Sequence, residues 1–192
     1  KDAGFQPIQL KKLGYTPKEM WDAEIPAKEM KNIHYTAREL NAGGYTAMQM
    51  KNSHAFSLDE LKEGRYKPVD LGEAGYHIPD LRAAKFTALD LRKALIFQVG
   101  MMRDAGYTAS EMKKAGYDCT RIRDAGYRAA EADAAGYEVV QMFAAGYEAG
   151  GLRERGYTAT VLREAGYELM ALKGAGYDAA ELVEAGYTTK EI

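Results

Sequence analysis

The sequence predicts an all-α superhelical solenoid of about nineteen short two-turn helices, one per ten-residue repeat. Three observations predict it: an aromatic residue every ten positions, a large aliphatic five residues after it, and helix start and stop signals at fixed offsets between the two. The copy at 105–114, Ala-Gly-Tyr-Thr-Ala-Ser-Glu-Met-Lys-Lys, carries all three.

Copies begin at 5, 15, 25, 35, 45, 56, 66, 76, 86, 97, 107, 117, 127, 137, 147, 157, 167, 177 and 187. Every position in that series is Tyr or Phe except Ile25, and all 14 tyrosines fall in it. The residue after the aromatic is often Thr, Ser or Asp, and three residues further on stands a carboxylate, as in Thr108 with Glu111. That pairing is a capping box, which satisfies two backbone donors that a helix start leaves open. Alanine usually follows the cap; Pro7, Pro17 and Pro68 stand there instead, at a first helical position where a missing N–H costs nothing. Seven residues on, Ala-Gly closes the helix, since glycine enters the left-handed region without steric penalty. The aromatic should then touch the aliphatic residues on both sides, so that Tyr117 lies between Met112 and Ile122. A helix of about 10 Å does not stand alone in water. Only stacking on its neighbours can hold it.

The 192 residues read as a single continuous array, irregular over 1–96 and regular over 97–192. Glu24 and His34 replace the closing glycine in early copies, and these junctions are expected to be remodelled. One-residue insertions near 53–55 and 93–96 stretch the aromatic spacing to eleven, so Ala55 and Ile96 stand where glycine is expected, as Arg65 and Lys85 do in neighbouring copies. Gly150-Gly151 inside a helix should weaken that copy by about 1 kcal/mol per glycine. Odd and even copies look alike, which favours equivalent steps of a spiral; Met48, Val69 and Leu89 share one slot in alternate copies, which favours twenty-residue hairpins. Neither end carries a polar cap, so the chain is expected to be a segment of a longer array or to have its ends covered, by partners or by self-association into a filament.

The unit AGYTAxELKx resembles tandem decapeptide short-helix repeat arrays rich in Ala, Gly, Tyr, Glu and Leu. The resemblance spans essentially the whole chain, is close from Tyr107 onward, and implies no activity.

No constellation of catalytic residues is present: the carboxylates follow the repeat, and Ser and His are too scarce to pair a nucleophile with a base. The expectation is a protein that is not an enzyme and holds no cofactor. His34, His54 and His77 lack the spacing of a metal site. The lone Cys119 sits in an alanine slot as a small core residue and suits a reducing compartment, so an intracellular, cytoplasmic location is expected. No stretch is long and apolar enough to span a membrane.

What remains is display. A non-catalytic scaffold for protein partners or a larger assembly would use outward apolar residues, with Trp21, Met101 and Phe143 as contact candidates. The alternative is nucleic-acid or other polyanion binding along a row with one basic residue per repeat, which includes Arg103, Lys113, Arg123, Arg153, Arg163 and Lys173. Against it stand a net charge of −2 and acidic residues following many of those cations.

Overall fold

The computed structural model describes residues 5–192. It forms two compact units, Lys1–Phe97 and Gln98–Ile192. The first holds α1 (Pro7–Lys12), α2 (Pro17–Asp22), α3 (Ala27–Asn32), α4 (Ala37–Ala42), α5 (Ala47–Ser53), α6 (Leu58–Glu63), α7 (Pro68–Glu73), α8 (Ile78–Ala83) and α9 (Ala88–Ala94). The second holds α10 (Val99–Asp104), α11 (Ala109–Lys114), α12 (Cys119–Asp124), α13 (Ala129–Ala134), α14 (Val139–Ala144), α15 (Ala149–Arg153), α16 (Ala159–Glu164), α17 (Leu169–Gly174) and α18 (Ala179–Glu184). The chain is a repeat solenoid with 18 helices among the described residues, one fewer than the repeat count predicts. In the copy that begins at Tyr187 the Thr188 N–H donates to the Glu191 carboxylate at 2.7 Å, but a single i→i−4 bond, Ile192 N to Thr188 O at 3.2 Å, makes only a turn.

Where the cap residues are present a helix begins and ends for the reasons its sequence states, whereas α3, α7, α10, α15 and α17 start without a side-chain cap hydrogen bond. At α11, Thr108 Oγ1 accepts from Glu111 N while the Thr108 N–H donates to the Glu111 carboxylate at 2.7 Å. The same bonds, from Thr36 and from Thr16, hold the Glu39 and Glu19 carboxyls below the usual carboxylate range. At the other end Tyr117 N donates to Met112 O at 3.1 Å and Gly116 N to Lys113 O at 2.8 Å, the two bonds of a Schellman closure around a glycine at φ +84°.

The irregular junctions keep this geometry. Glu24, His34, Arg65 and Lys85 all hold left-handed backbone at φ of about +60°, so the expected remodelling does not occur. At the insertions the left-handed residues are His54 (φ 49°) and Leu95 (φ 60°), not Ala55 and Ile96. The helix is counted from its own start, so the extra residue falls after the left-handed position. At the first insertion Ser53 Oγ donates to Met50 O at 2.6 Å, taking up the carbonyl that an aromatic N–H satisfies in regular copies.

The packing period is twenty residues, not ten. Within the first unit α2 packs on α4, α3 on α5, α4 on α6, α5 on α7 and α7 on α9; within the second, α10 on α12, α11 on α13, α12 on α14, α13 on α15, α15 on α17 and α16 on α18. Within each unit most helices therefore stack on the next but one, in two alternating columns, with direct-neighbour contacts α12–α13, α13–α14 and α16–α17 besides. Equivalent steps and a twenty-residue spatial repeat are both correct.

The aliphatic row is the core. Met30, Leu40, Met50, Leu61, Leu71, Leu81, Leu91, Met102, Met112, Ile122, Met142, Leu152, Leu162 and Leu172 are all fully buried, each worth roughly 1.5–3 kcal/mol of burial. The tyrosines add a directional link that the apolar pattern does not reveal. Tyr137 Oη donates to Tyr117 O at 2.6 Å, Tyr147 Oη to Tyr127 O at 2.9 Å, Tyr167 Oη to Tyr147 O at 2.6 Å, and in the first unit Tyr45 Oη to Ile25 O and Tyr66 Oη to Tyr45 O, both at 2.8 Å. Each latch joins one copy to the copy two before it. Burial pushes the Tyr45, Tyr137 and Tyr167 hydroxyls up to about 12.

Candidate interaction surface

Within each unit the residue that follows a buried aliphatic lies on the seam between a helix and the next but one. Its long axis reaches the C-terminal end of that second helix, where the last carbonyls lack partners and the dipole is negative. A cation there is well placed. Lys113 Nζ donates to Gly136 O and lies 4.8 Å from the Tyr137 ring centre. Arg153 donates to Ala175 O at 3.2 Å and sits 4.9 Å from the Tyr177 ring centre, and Arg163 donates to Ala185 O over Tyr187 at 4.6 Å. Lys173 donates to Ile192 O at 2.7 Å, Arg103 covers Tyr127 at 5.6 Å, and Arg123 lies against Gly146 with Asp124 at 3.7 Å. In the first unit Lys11, Lys31, Lys51 and Lys62 cap in the same way, on the carbonyls of Ile33, Ala55, Gly75 and Ala84. The basic row is thus a set of inter-repeat caps and cation–π contacts, where the sequence pattern suggested a stripe open to a polyanion.

Where the left-handed position beneath is glycine, Arg, Lys, Phe and Trp all lie over it: a Cβ on Gly166 would sit 2.6 Å from the Phe143 ring, one on Gly186 2.5 Å from Arg163, and one on Gly75 2.9 Å from Lys51. Within each unit, where that position carries a side chain the seam residue is Lys or Asn, as with Lys11 over His34, Lys31 over His54 and Asn41 over Arg65, while the seam glycine Gly72 lies against Ile96 and Phe97. Glycine serves the close approach as much as the backbone angle. Gly151 has a similar role inside α15, because a Cβ there would meet Ala129 Cβ at 3.0 Å, whereas Gly150 faces open space.

Two of the three contact candidates occupy this seam. Phe143 meets Tyr167 edge to face at 4.8 Å, and Trp21 donates through Nε1 to Gln49 Oε1 at 3.3 Å above Gly44. Both keep an exposed edge, at 39% and 37%. Trp21 also lines an open groove with Ile25, Pro26, Tyr45, Gln49 and His54. Met101 lies outside the seam, on the third residue of α10, and is half exposed. The second helical residue, which the core and the seam leave free, carries five further exposed apolar side chains, Ile8, Met48, Leu89, Val140 and Met170, while Phe5, Leu13, Leu95, Ile96, Val161 and Val183 are exposed elsewhere. Only the Met48, Val69 and Leu89 recurrence marked this slot in sequence. It now falls on α5, α7 and α9, successive members of one column.

A family model for a decapeptide repeat region matches residues 1–68, 55–129, 96–168 and 116–189. The chain belongs to the decapeptide repeat family. No curated protein and no solved structure matches it.

The remaining titratable groups of this decapeptide array have structural settings. His34 and His54 hold left-handed backbone, and His77 caps α8, its N–H donating to Asp80 Oδ2 at 3.3 Å. Among the described residues no three His, Cys, Asp or Glu side chains gather to hold a metal ion, and no helix is long and apolar enough to cross a membrane. Burial, followed by the neighbouring Asp118, pushes the Cys119 thiol up to about 11, so it is the neutral thiol that packs as a small core group.

Proposed function

We propose that this decapeptide array is a non-catalytic scaffold that presents outward helix residues to protein partners at a fixed spacing. The observation that carries the reading is a division of labour within each copy. Aromatic, aliphatic, cap and seam residues are consumed in holding the stack, while the second helical residue ranges over Met48, Ser110, Thr120, Val140 and Met170 with no role in it. Such a surface varies without cost to the fold, and exposed apolar side chains among polar ones mark contact points. Polyanion binding is disfavoured by the same geometry, since the row cations would have to leave their carbonyls and rings. The lone buried thiol fits a reducing compartment, and an intracellular scaffold is the reading we adopt.

The test replaces Met101 and Met170 with serine and compares proteins captured from the native source by the unaltered and altered arrays. Helicity by circular dichroism should be unchanged and one or more partners should be lost. An identical set of captured proteins would remove these residues from the interaction surface, and retention of nucleic acid that falls steeply with salt would favour the rival reading.

A further inference from the structure

The exceptions to the repeat in the second unit meet one another. Its seam residues are Arg103, Lys113, Arg123, Phe143, Arg153, Arg163, Lys173 and Val183, with a single acid, Asp133. The residue before the closing glycine is alanine in every copy of that unit except one, Arg155. These two singular residues pair: Arg155 Nε donates to Asp133 Oδ2 at 2.8 Å, and Tyr157 Oη donates to Asp133 Oδ1 at 2.6 Å. Tyr157 is thereby turned from the carbonyl latch its neighbours make to the carboxylate. Beneath the pair lie the one small member of the aliphatic row in this unit, Ala132, and the close Gly151–Ala129 approach. The first unit contains a second matched exception, where the seam glycine Gly72 makes room for the inserted Ile96, whose Cδ1 lies 2.5 Å from where a Cβ would stand.

We infer that the Asp133–Arg155–Tyr157 seam is a register key, which fixes which copy stacks on which in an array whose copies are otherwise interchangeable. The physical reason is the charge that each wrong register would bring together. If α15 stacked on α12, Arg155 would face Arg123; if it stacked on α11, Arg155 would face Lys113. If α16 or α17 stacked on α13, Asp133 would face alanine and the partnerless carbonyl oxygens of a helix C-terminus, a carboxylate against negative ends. Only the native pairing joins acid to cation. Discrimination is achieved by making the alternatives repulsive as well as the native contact attractive.

The key separates local stability from register, which makes it testable. In the reversed variant D133R/R155D the native seam keeps an ion pair, but α15 then offers a carboxylate to Arg123 or Lys113 in the slipped registers. The unaltered chain and the variant are unfolded in urea, refolded and treated briefly with protease, and the cut sites are identified. A slipped chain expels one or two copies as an exposed loop between α11 and α15. Expected is one protected species for the unaltered chain and, for the reversed variant, cutting within that loop raised about tenfold, the ratio that about 1.4 kcal/mol of register preference maintains. Should the reversed variant fail to fold, D133K/R155A, which restores the common seam, carries the same test. A single protected species from a variant that folds would overturn the inference. So would additive effects of D133K and R155A on the folding constant, agreeing within about twofold, since coupled partners depart from additivity by more.

Discussion

Leu162→Ala is expected to cost about 2–5 kcal/mol, the range for removing a fully buried leucine that leaves a cavity. The loss should be local. In a quasi-one-dimensional stack each copy answers mainly to the copies it touches, and α16 touches α17 and α18. Amide hydrogen exchange should therefore speed up in α16 to α18 while α10 to α12 keep most of their protection. Uniform acceleration across the second unit would mean that the whole unit unfolds as one body.

Raising the pH should unfold the array between about pH 10 and 12. Free tyrosine titrates near 10, and burial holds Tyr45, Tyr137 and Tyr167 up to about 12, with Tyr35, Tyr66, Tyr147 and Tyr177 also raised. Across that window the unfolded chain has released protons that the folded chain still binds, so the stability due to these hydroxyls is fully present below about pH 10 and falls as pH rises through the folded values. For each such tyrosine the fall is about 1.4 kcal/mol per pH unit, and several together exhaust the stability of an ordinary domain. Helicity by circular dichroism and tyrosinate absorbance should change together, and both should reverse on return to neutral pH. Titration of all tyrosines near pH 10 with helicity intact would show that the hydroxyl latches are not made.

Most of the local structure is legible in the sequence, because caps, closing glycines and the two apolar rows act within one copy. Thr108 with Glu111 and Gly116 with Tyr117 state where α11 starts and stops before any neighbour is considered. The partner of each helix is a different matter. A strict period of ten is satisfied equally well by contacts at ten or at twenty residues, so repetition carries no information about which is used. The tyrosine hydroxyls and the seam cations, which decide it, read locally as an aromatic staple and a dipole-matched charge. Their true partners lie twenty or more residues away. The insertions misled for a related reason: aligning copies on the aromatic put Ala55 and Ile96 at the closing position, whereas the helix counts from its own cap and reaches His54 and Leu95. For the surface, Trp21, Met101 and Phe143 are legible as outward apolar residues. That the basic row is a seam is not, because the carbonyls it caps have no signature in side-chain chemistry. The information about pairing sits in the exceptions, such as Asp133 with Arg155, which look like noise until they are found in contact.

The twenty-residue stacking of equivalent helices is tested most directly by nuclear Overhauser contacts from the side chain of Lys113 in solution. The structure places that side chain on the Tyr137 ring and the carbonyl of Gly136, two copies on. Contacts from the Lys113 methylenes to the Tyr137 ring, with none to the Tyr127 ring, are the result expected. Contacts to Tyr127 and none to Tyr137 would mean that each helix packs on its immediate successor, and the two-column stack would be wrong.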